Sequence, residues 1–265
     1  MTDRDARATM KATRYLPVAI LILLMIGMAA PTSALRIGGP EVVVPVIAHN
    51  PGLLGTEWRT DVWIVNPYGD VSDVTLTFYP TNASPVVFET AIGPYRGLFF
   101  DDIVLNTFKM EDTKGMLIVS APGTRIEVRA RIFNTGGGDG EFGQALFGLA
   151  TGDLRRQSYV SGVSTIEGNR VSFGIANPTG NSFTVNLYVD DAQDNVSLHS
   201  ETVTLEPHQV VQFSDVAARW RLPESSTIRI QVSSALNENL VYAYASVVRN
   251  DTGDASFLFG TSPNT

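Results

Sequence analysis

The feature that most constrains the fold is an internal repeat, which covers most of this chain of 265 residues. Residues 59–67 align with residues 170–178 at an offset of 111, and both stretches end in Asn-Pro. Residues 91–103 align with residues 204–216 at an offset of 113, so a small loop insertion separates the two blocks. Each unit is therefore about 110 residues long, which is a usual size for one β-sandwich.

Within each copy the dominant period of the sequence is two. Residues 74–78, 184–189 and 227–232 alternate apolar with polar side chains, as half-buried strands do. Turn-forming Asn, Pro and Gly separate these runs, and helical periodicity is confined to two short stretches at 102–108 and 215–220. We therefore predict an all-β fold of two tandem antiparallel β-sandwich domains, which follow an N-terminal signal helix.

The N-terminus is predicted to be a signal peptide at residues 1–34, followed by sandwich domains at 35–150 and 151–265. An apolar run at 18–30 ends before Pro-Thr-Ser-Ala, a pattern that fits cleavage after Ala34. The run is shorter than the roughly 20 residues of a spanning helix, and an uncleaved signal anchor is the alternative. We expect an exported protein, periplasmic, cell-surface or extracellular, with no membrane span in the mature chain.

The composition excludes several classes of function. The chain has no cysteine, which rules out disulfides, thiolate metal sites, a cysteine nucleophile and a lipidated cysteine. Its formal net charge is −8, and an acidic protein repels phosphate backbones, so nucleic-acid binding is disfavoured. No cofactor is predicted.

Three short motifs carry a resemblance to a known type of protein. They are Trp-Arg-Thr-Asp at 58–61, Asn-Pro at 66–67, and Tyr-Ala-Ser-Val at 244–247, which Asn-Asp-Thr-Gly-Asp follows at 250–254. In these motifs the chain resembles uncharacterised exported bacterial proteins with tandem β-sandwich (Ig-like) repeats. The resemblance covers roughly residues 43–260, nearly the whole mature chain. It implies the architecture and export, and it implies no activity.

The duplicated polar residues are predicted to specify the fold. Asn66 and Asn177 each end a buried strand, where the asparagine side chain can bond its own backbone and the following proline prevents further pairing. Asp102 and Asp215 each precede a short helical stretch and are expected to cap it.

The histidines give no catalytic pattern. The chain has no G-x-S-x-G and no pair of histidines at metal-ligand spacing. Of His49, His199 and His208, the last follows a proline at a turn, and Tyr95 stands at the matching position of the first copy. His208 is therefore interpreted as a surface turn residue. No catalytic, cofactor-binding or metal-binding residue is predicted.

Two groups of charged residues are interpreted as structural. Asp190, Asp191 and Asp194 crowd one turn and could bind Ca²⁺ if their carboxylates converged, but the spacing does not match a calcium loop and a solvated hairpin is favoured. Arg59 and Asp61 are two residues apart, hence on one strand face, and are expected to form an ion pair.

One loop has no counterpart of equal length in the second copy. It lies between residues 49 and 57 and carries His49, Leu53 and Leu54 beside Trp58. An apolar loop with an aromatic residue could contact a protein or glycan partner. The alternative is that the leucines cover the end of the sandwich or the junction between the domains.

These features predict an exported, non-enzymatic structural or interaction protein of the adhesion type, with an unknown protein or glycan as partner. One alternative is a carbohydrate- or ligand-binding module, which predicts an exposed aromatic platform built from Trp58, Trp63, Trp220 or tyrosines. A second alternative is a hydrolase with a cross-strand carboxylate site. It predicts converging carboxylates, or a histidine–carboxylate pair in a cleft.

Overall fold

β-Strands dominate the computed structural model, which describes residues 38–52, 55–136 and 141–262. Every strand pair that it contains is antiparallel, which confirms the all-β prediction. The predicted signal peptide, residues 1–34, lies outside the described residues, as do Leu53 and Leu54.

The first strand group comprises nine strands between Glu41 and Ala150, and within the described residues they pair only with one another. One sheet has the order β4-β3-β6-β1 and the other has β5-β2-β7-β8, and the end of β1 joins them by pairing with β2. Their bounds are β1 (Glu41–Pro51), β2 (Glu57–Val65), β3 (Ser72–Pro80), β4 (Val86–Ile92), β5 (Gly97–Phe100), β6 (Thr113–Ser120), β7 (Glu127–Asn134), β8 (Phe142–Phe147) and β9 (Leu149–Ala150).

The second strand group comprises eight strands between Gln157 and Phe259, in two four-stranded sheets. The sheets have the orders β13-β12-β15-β10 and β14-β11-β16-β17. Their bounds are β10 (Gln157–Val163), β11 (Asn169–Ala176), β12 (Phe183–Asp191), β13 (Val196–Leu205), β14 (Val210–Phe213), β15 (Ile228–Ser234), β16 (Tyr242–Arg249) and β17 (Ala255–Phe259).

Alternation of side chains builds one apolar core between the two sheets of each group. In β12, Val185, Leu187 and Val189 are buried while the residues between them are more exposed, as the period of two requires. These side chains join one buried cluster with residues of the facing sheet such as Phe173. The first group has an equivalent cluster that includes Leu76. Each strand group is therefore arranged like a sandwich.

A third buried cluster joins the two strand groups. Tyr242 of the second group is buried here, and its hydroxyl donates a hydrogen bond of 2.8 Å to the carbonyl oxygen of Phe147. The ring of Tyr79 stacks on His208 at 4.2 Å. The cluster is formed by apolar side chains of both groups, namely Val43, Met116, Ile118, Leu149, Leu154, Ala176 and Tyr242.

The two asparagines have the local role that the sequence predicts. The Asn66 amide donates to the carbonyl oxygens of Asp70, Ile92 and Gly93 and accepts from the amide of Tyr68. Asn177 makes the matching set, with bonds to the backbone of Thr179, Asn181, Leu205 and Glu206. Both asparagines are fully buried, so these bonds satisfy backbone groups that would otherwise lack partners.

Two short α-helices are present in the described residues, α1 (Ile103–Asn106) and α2 (Val216–Trp220). Asp215 accepts a hydrogen bond from the Ala218 amide and so caps α2, as predicted. The prediction for Asp102 is wrong: its carboxylate makes no capping bond to α1, because it is bound by His49 instead. Among the described residues, no helix has the length and apolar character needed to cross a membrane.

Candidate functional site

The predicted partner-contact loop has His49 at one end and Trp58 at the other, and the two side chains make different contacts. His49, near the end of β1, is largely buried, and its Nδ1 lies 2.8 Å from Oδ2 of Asp102. Trp58, at the start of β2, is partly buried and packs against the first apolar core. His49 is therefore bound within the first strand group. Leu53 and Leu54 lie between these anchors, outside the described residues.

Asp102 contacts two further charged residues beside His49, Arg59 and Asp61. Nε of Arg59 lies 3.5 Å from Oδ2 of Asp102, and Asp61 accepts a hydrogen bond of 3.0 Å from the backbone amide of Asp102. The predicted Arg59–Asp61 ion pair is therefore wrong, since Arg59 pairs with Asp102 and Glu57. The physical reason is that a residue from a distant turn reaches the same strand face, which spacing along one strand does not show.

The acidic turn of β12 does not bring its carboxylates together. Asp190 forms an ion pair of 3.0 Å with Arg229, while Asp191 accepts a hydrogen bond of 2.6 Å from the Thr227 hydroxyl. The bond from Thr227 is the largest cause of the lowered pKa of Asp191. Within residues 38–52, 55–136 and 141–262, no three His, Asp or Glu side chains are grouped so that they could hold a metal ion.

The three tryptophans differ in exposure. Trp220 is buried, stacks on His199 at 5.2 Å and donates a hydrogen bond to Glu201. Trp58 is partly buried, as described above. Trp63 lies on the outer side of β2 and is 39% exposed. Trp63 is thus the tryptophan available for an aromatic platform.

Trp63 belongs to a cross-strand row that we call the aromatic face, which consists of Phe99, Trp63, Arg129 and Phe147. The strand register places these residues side by side on β5, β2, β7 and β8. The rings of Trp63 and Phe99 are 5.0 Å apart, and the Arg129 guanidinium lies 5.8 Å from the Phe147 ring centre. Phe99 is 54% exposed and Phe147 is 38% exposed. A shallow groove of about 380 Å³ runs beside Trp63, and Arg131 lines it together with Arg129.

A deeper cleft of about 450 Å³, which we call the junction cleft, lies between the two strand groups. Its walls are formed by β1, β2, β6, β7 and β8 on one side and by β11, β14 and β16 on the other. Asn50 and Trp58, which flank the predicted contact loop, line its rim. The loop therefore borders the junction of the strand groups.

The polar groups of the junction cleft are Lys114, Gln144, Arg170, Gln212, Tyr244 and Ser246 among others. Lys114 donates a hydrogen bond of 2.9 Å to Oε1 of Gln212, and burial lowers the pKa of Lys114 below its ordinary value. Gln144 and Ser246 bond each other across the cleft.

The sequence pointed to Trp63 and Trp58 as candidates, but it did not indicate the other residues of the aromatic face and of the junction cleft. The partners of Trp63, namely Phe99 and Arg129, come from strands whose register is set by pairing over long distances. Period-two patterning could have indicated that Phe99 and Trp63 point away from the core, but not that they are neighbours.

No family model matches this sequence, and no curated protein matches it. The crystal structure of Thermotoga maritima 1070 is similar to part of the chain, with 16% sequence identity and a TM-score of 0.34. The similarity covers 43% of this chain and 95% of that protein.

Proposed function

We propose that the protein is an exported, non-enzymatic interaction protein, in which tandem β-sandwich domains (residues 35–150 and 151–265) present the aromatic face to a protein partner. One observation carries the proposal. In the second strand group, one cross-strand row of the β14-β11-β16-β17 sheet packs against the first group. The aromatic face is the matching row of the first group, on the β5-β2-β7-β8 sheet.

The tandem arrangement is supported by the strand pairing. Six strand pairs of the first group recur in the second group when nine is added to each strand number, so that β1–β6, for example, corresponds to β10–β15. The six pairs are β1–β6, β3–β4, β3–β6, β2–β5, β2–β7 and β7–β8. Two pairs of residues at an offset of 113 share a left-handed backbone, Tyr95 with His208 and Asp102 with Asp215. L-residues rarely adopt this conformation, so its recurrence at matching positions supports duplication.

The matching rows differ in one important respect. In the second group the register aligns Gln212, Gly174, Tyr244 and Phe259 on β14, β11, β16 and β17. Tyr244 in this row is buried against the first apolar core, and Phe259 packs against the third cluster. The same row of the first group is the aromatic face, in which Trp63 and Phe99 are exposed, while Phe147 at its end meets the Phe259 ring edge-on. A sheet position used for packing in one copy is therefore open in the other.

The composition of the aromatic face suits an interface. Tryptophan and arginine are enriched among the residues that dominate binding energy, and aromatic rings bury a large area at a low cost in side-chain entropy. Arg129 and Arg131 add donors that can bond carboxylates or backbone carbonyls of a partner. An exposed apolar patch rimmed by charged groups is a common mark of an interaction site.

The hydrolase alternative receives less support. In the described residues, two histidines pair with a carboxylate, His49 with Asp102 and His199 with Glu201. Asp102 also binds Arg59, and Glu201 also accepts the indole hydrogen of Trp220. In both pairs the carboxylate is thus engaged by a second structural partner.

Site-specific photocrosslinking tests the proposal. Phe99 is replaced by p-benzoylphenylalanine in the full chain in its source cells, and Tyr188, which is 39% exposed on the second group, is replaced as a matched control. We expect a discrete protein adduct from position 99 and none from position 188. Equal adducts from the two positions, or none from position 99, would overturn the proposal.

A glycan ligand is the second candidate, because the Trp63 ring, which packs against Phe99, lines an open groove together with two arginines. The C–H face of a pyranose ring can stack on such rings while its hydroxyls bond the guanidinium groups. A glycan array probed with the mature protein distinguishes this function. Binding that Trp63→Ala abolishes and Tyr188→Ala retains would favour a glycan over a protein partner.

Export is proposed from the N-terminal pattern of residues 1–34. Intact mass of the protein recovered outside the cytoplasm tests it, and we expect a chain that begins at Leu35. A product that retains the apolar run at 18–30 would indicate the uncleaved signal anchor instead.

A further inference from the structure

We propose that the junction cleft binds a small organic carboxylate, whose charged group is held by Lys114, Gln212 and Tyr244 at the inner end of the cleft. This inference concerns a site distinct from the aromatic face and does not depend on the proposed function. It rests on a buried hydroxyl without a partner, a cation without a carboxylate, and the shape of the cleft.

The buried hydroxyl belongs to Tyr244. Its side chain is 1% exposed, and its oxygen has no hydrogen-bond partner among the described residues. The ring lies across Gly174, where a Cβ would meet the phenol oxygen at 2.4 Å. Gln212 is the next residue of this row beyond Gly174, so the register places it on the far side of Gly174 from Tyr244. A buried donor without a partner is uncommon in native proteins and marks a site for a missing acceptor.

The cation is Lys114. Its Nζ donates to Gln212, and in the described part of the chain it forms no ion pair with a carboxylate. Burial opposes the charged form and lowers the pKa of this amine. An anion beside Nζ would offset that loss of solvation. Gln212 bonds Lys114 and lies in the same strand row as Tyr244, so a carboxylate held between them would receive a donor from each of the two residues.

The rest of the cleft has both apolar and polar walls. Trp58, Ile132 and Val248 offer apolar contacts, and Gln144, Arg170 and Ser246 offer polar ones. Along β11 and β16 it extends from the level of Tyr244 to that of Arg170 and Val248, roughly 13 Å at the usual rise of a strand. Ile132 and Trp58 line its other wall. The cleft also contains one carboxylate, Asp215, which is exposed and caps α2. Its volume of about 450 Å³ is within the range of small-ligand sites.

Calorimetric titration of the mature chain with benzoate, hexanoate and cyclohexanecarboxylate tests the inference. The matched neutral probes are benzamide, hexanamide and cyclohexanecarboxamide. We expect at least one acid to bind with a Kd of about 1 mM or tighter, and its amide to bind at least about tenfold more weakly. Chloride at matched ionic strength should not displace the acid.

Two variants locate the binding. Tyr244→Phe and Lys114→Met should each weaken acid binding by at least about tenfold, since each removes one charge-assisted hydrogen bond. The control is Tyr242→Phe, which lies on the same strand outside the cleft and should leave the affinity unchanged. Circular dichroism verifies that each variant is folded.

Three results would overturn the inference. They are the absence of binding by all three acids at about 20 mM, equal binding of acids and amides, and unchanged affinity in both cleft variants. A fourth such result is displacement of the acid by chloride, which would mean that the cleft attracts anions without selecting an organic carboxylate.

Discussion

Two tyrosines on β16 provide a matched pair of perturbations of opposite sign. Tyr242 and Tyr244 are both about 1% exposed, and burial raises the pKa of both phenols above the ordinary value. The Tyr242 hydroxyl donates a bond of 2.8 Å to the Phe147 carbonyl, whereas the Tyr244 hydroxyl has no partner among the described residues. The substitution to phenylalanine removes one oxygen in each case and leaves the ring in place.

The magnitudes follow from the hydrogen bonds. Tyr242→Phe leaves the Phe147 carbonyl without this donor, so the free energy of unfolding should fall by about 1–3 kcal/mol. Tyr244→Phe removes a donor that is buried without compensation, so the free energy of unfolding should stay constant or rise by up to about 1 kcal/mol. The two variants should therefore differ by at least about 1 kcal/mol, which is roughly a fivefold difference in the unfolding equilibrium.

Urea unfolding of the mature chain at pH 7, followed by far-UV circular dichroism, measures the difference. The wild-type protein and both variants are compared without added carboxylate. An equal loss of stability in the two variants would refute the reasoning, because it would mean that the Tyr244 hydroxyl is structurally bonded.

Four further substitutions test the packing, each by urea unfolding. Burial lowers the pKa of His208, so the unfolded chain binds the proton more tightly and the free energy of unfolding should fall as pH drops below about 6.5. His208→Phe keeps the stack on Tyr79 and should reduce this pH dependence. An unchanged pH profile in the variant would contradict the argument. Asn66→Ala and Asn177→Ala should each lower the free energy of unfolding by about 2–4 kcal/mol, since buried backbone groups lose their partners; a loss below about 0.5 kcal/mol at either position would argue against a shared role. Met116→Ala, in the third cluster, should lower it by about 2–5 kcal/mol, and a negligible change would mean that the two strand groups are not stabilised by this contact.

Local patterns predicted the elements of the fold well. The alternation of Val185, Leu187 and Val189 is enough to predict a strand with one buried face, because the period of a strand is two. Asn66 and Asn177 could also be interpreted correctly, since an asparagine side chain reaches backbone groups close to it in the turn.

Contacts between distant segments could not be predicted in this way. Asp102 and Asp215 occupy matching positions, yet only Asp215 caps a helix, because His49 reaches Asp102 from β1. His208 lies in the predicted turn, but its ring packs on Tyr79 of the other strand group and is only partly exposed. Both outcomes depend on how strands far apart in sequence meet.

The two sites illustrate the same limit. Trp63 could be named as a candidate, but its exposure follows from which sheet face the second strand group covers. The junction cleft requires the packing of both groups, so Lys114 and Tyr244 have no sequence signal of their own. The alternation of apolar and polar residues predicts which face of a strand is apolar, but it does not predict which strand group packs on that face.

Hydroxyl-radical footprinting tests the central claim most directly, since it needs no knowledge of the partner. The extent of oxidation at Trp63, Phe99 and Tyr188 is measured by mass spectrometry in the purified mature protein and in intact source cells. We predict that Trp63 and Phe99 are oxidised in the purified protein and protected in cells, while Tyr188 is oxidised to the same relative extent in both. Oxidation of Trp63 and Phe99 in cells as strong as in the purified protein would contradict a partner on the aromatic face.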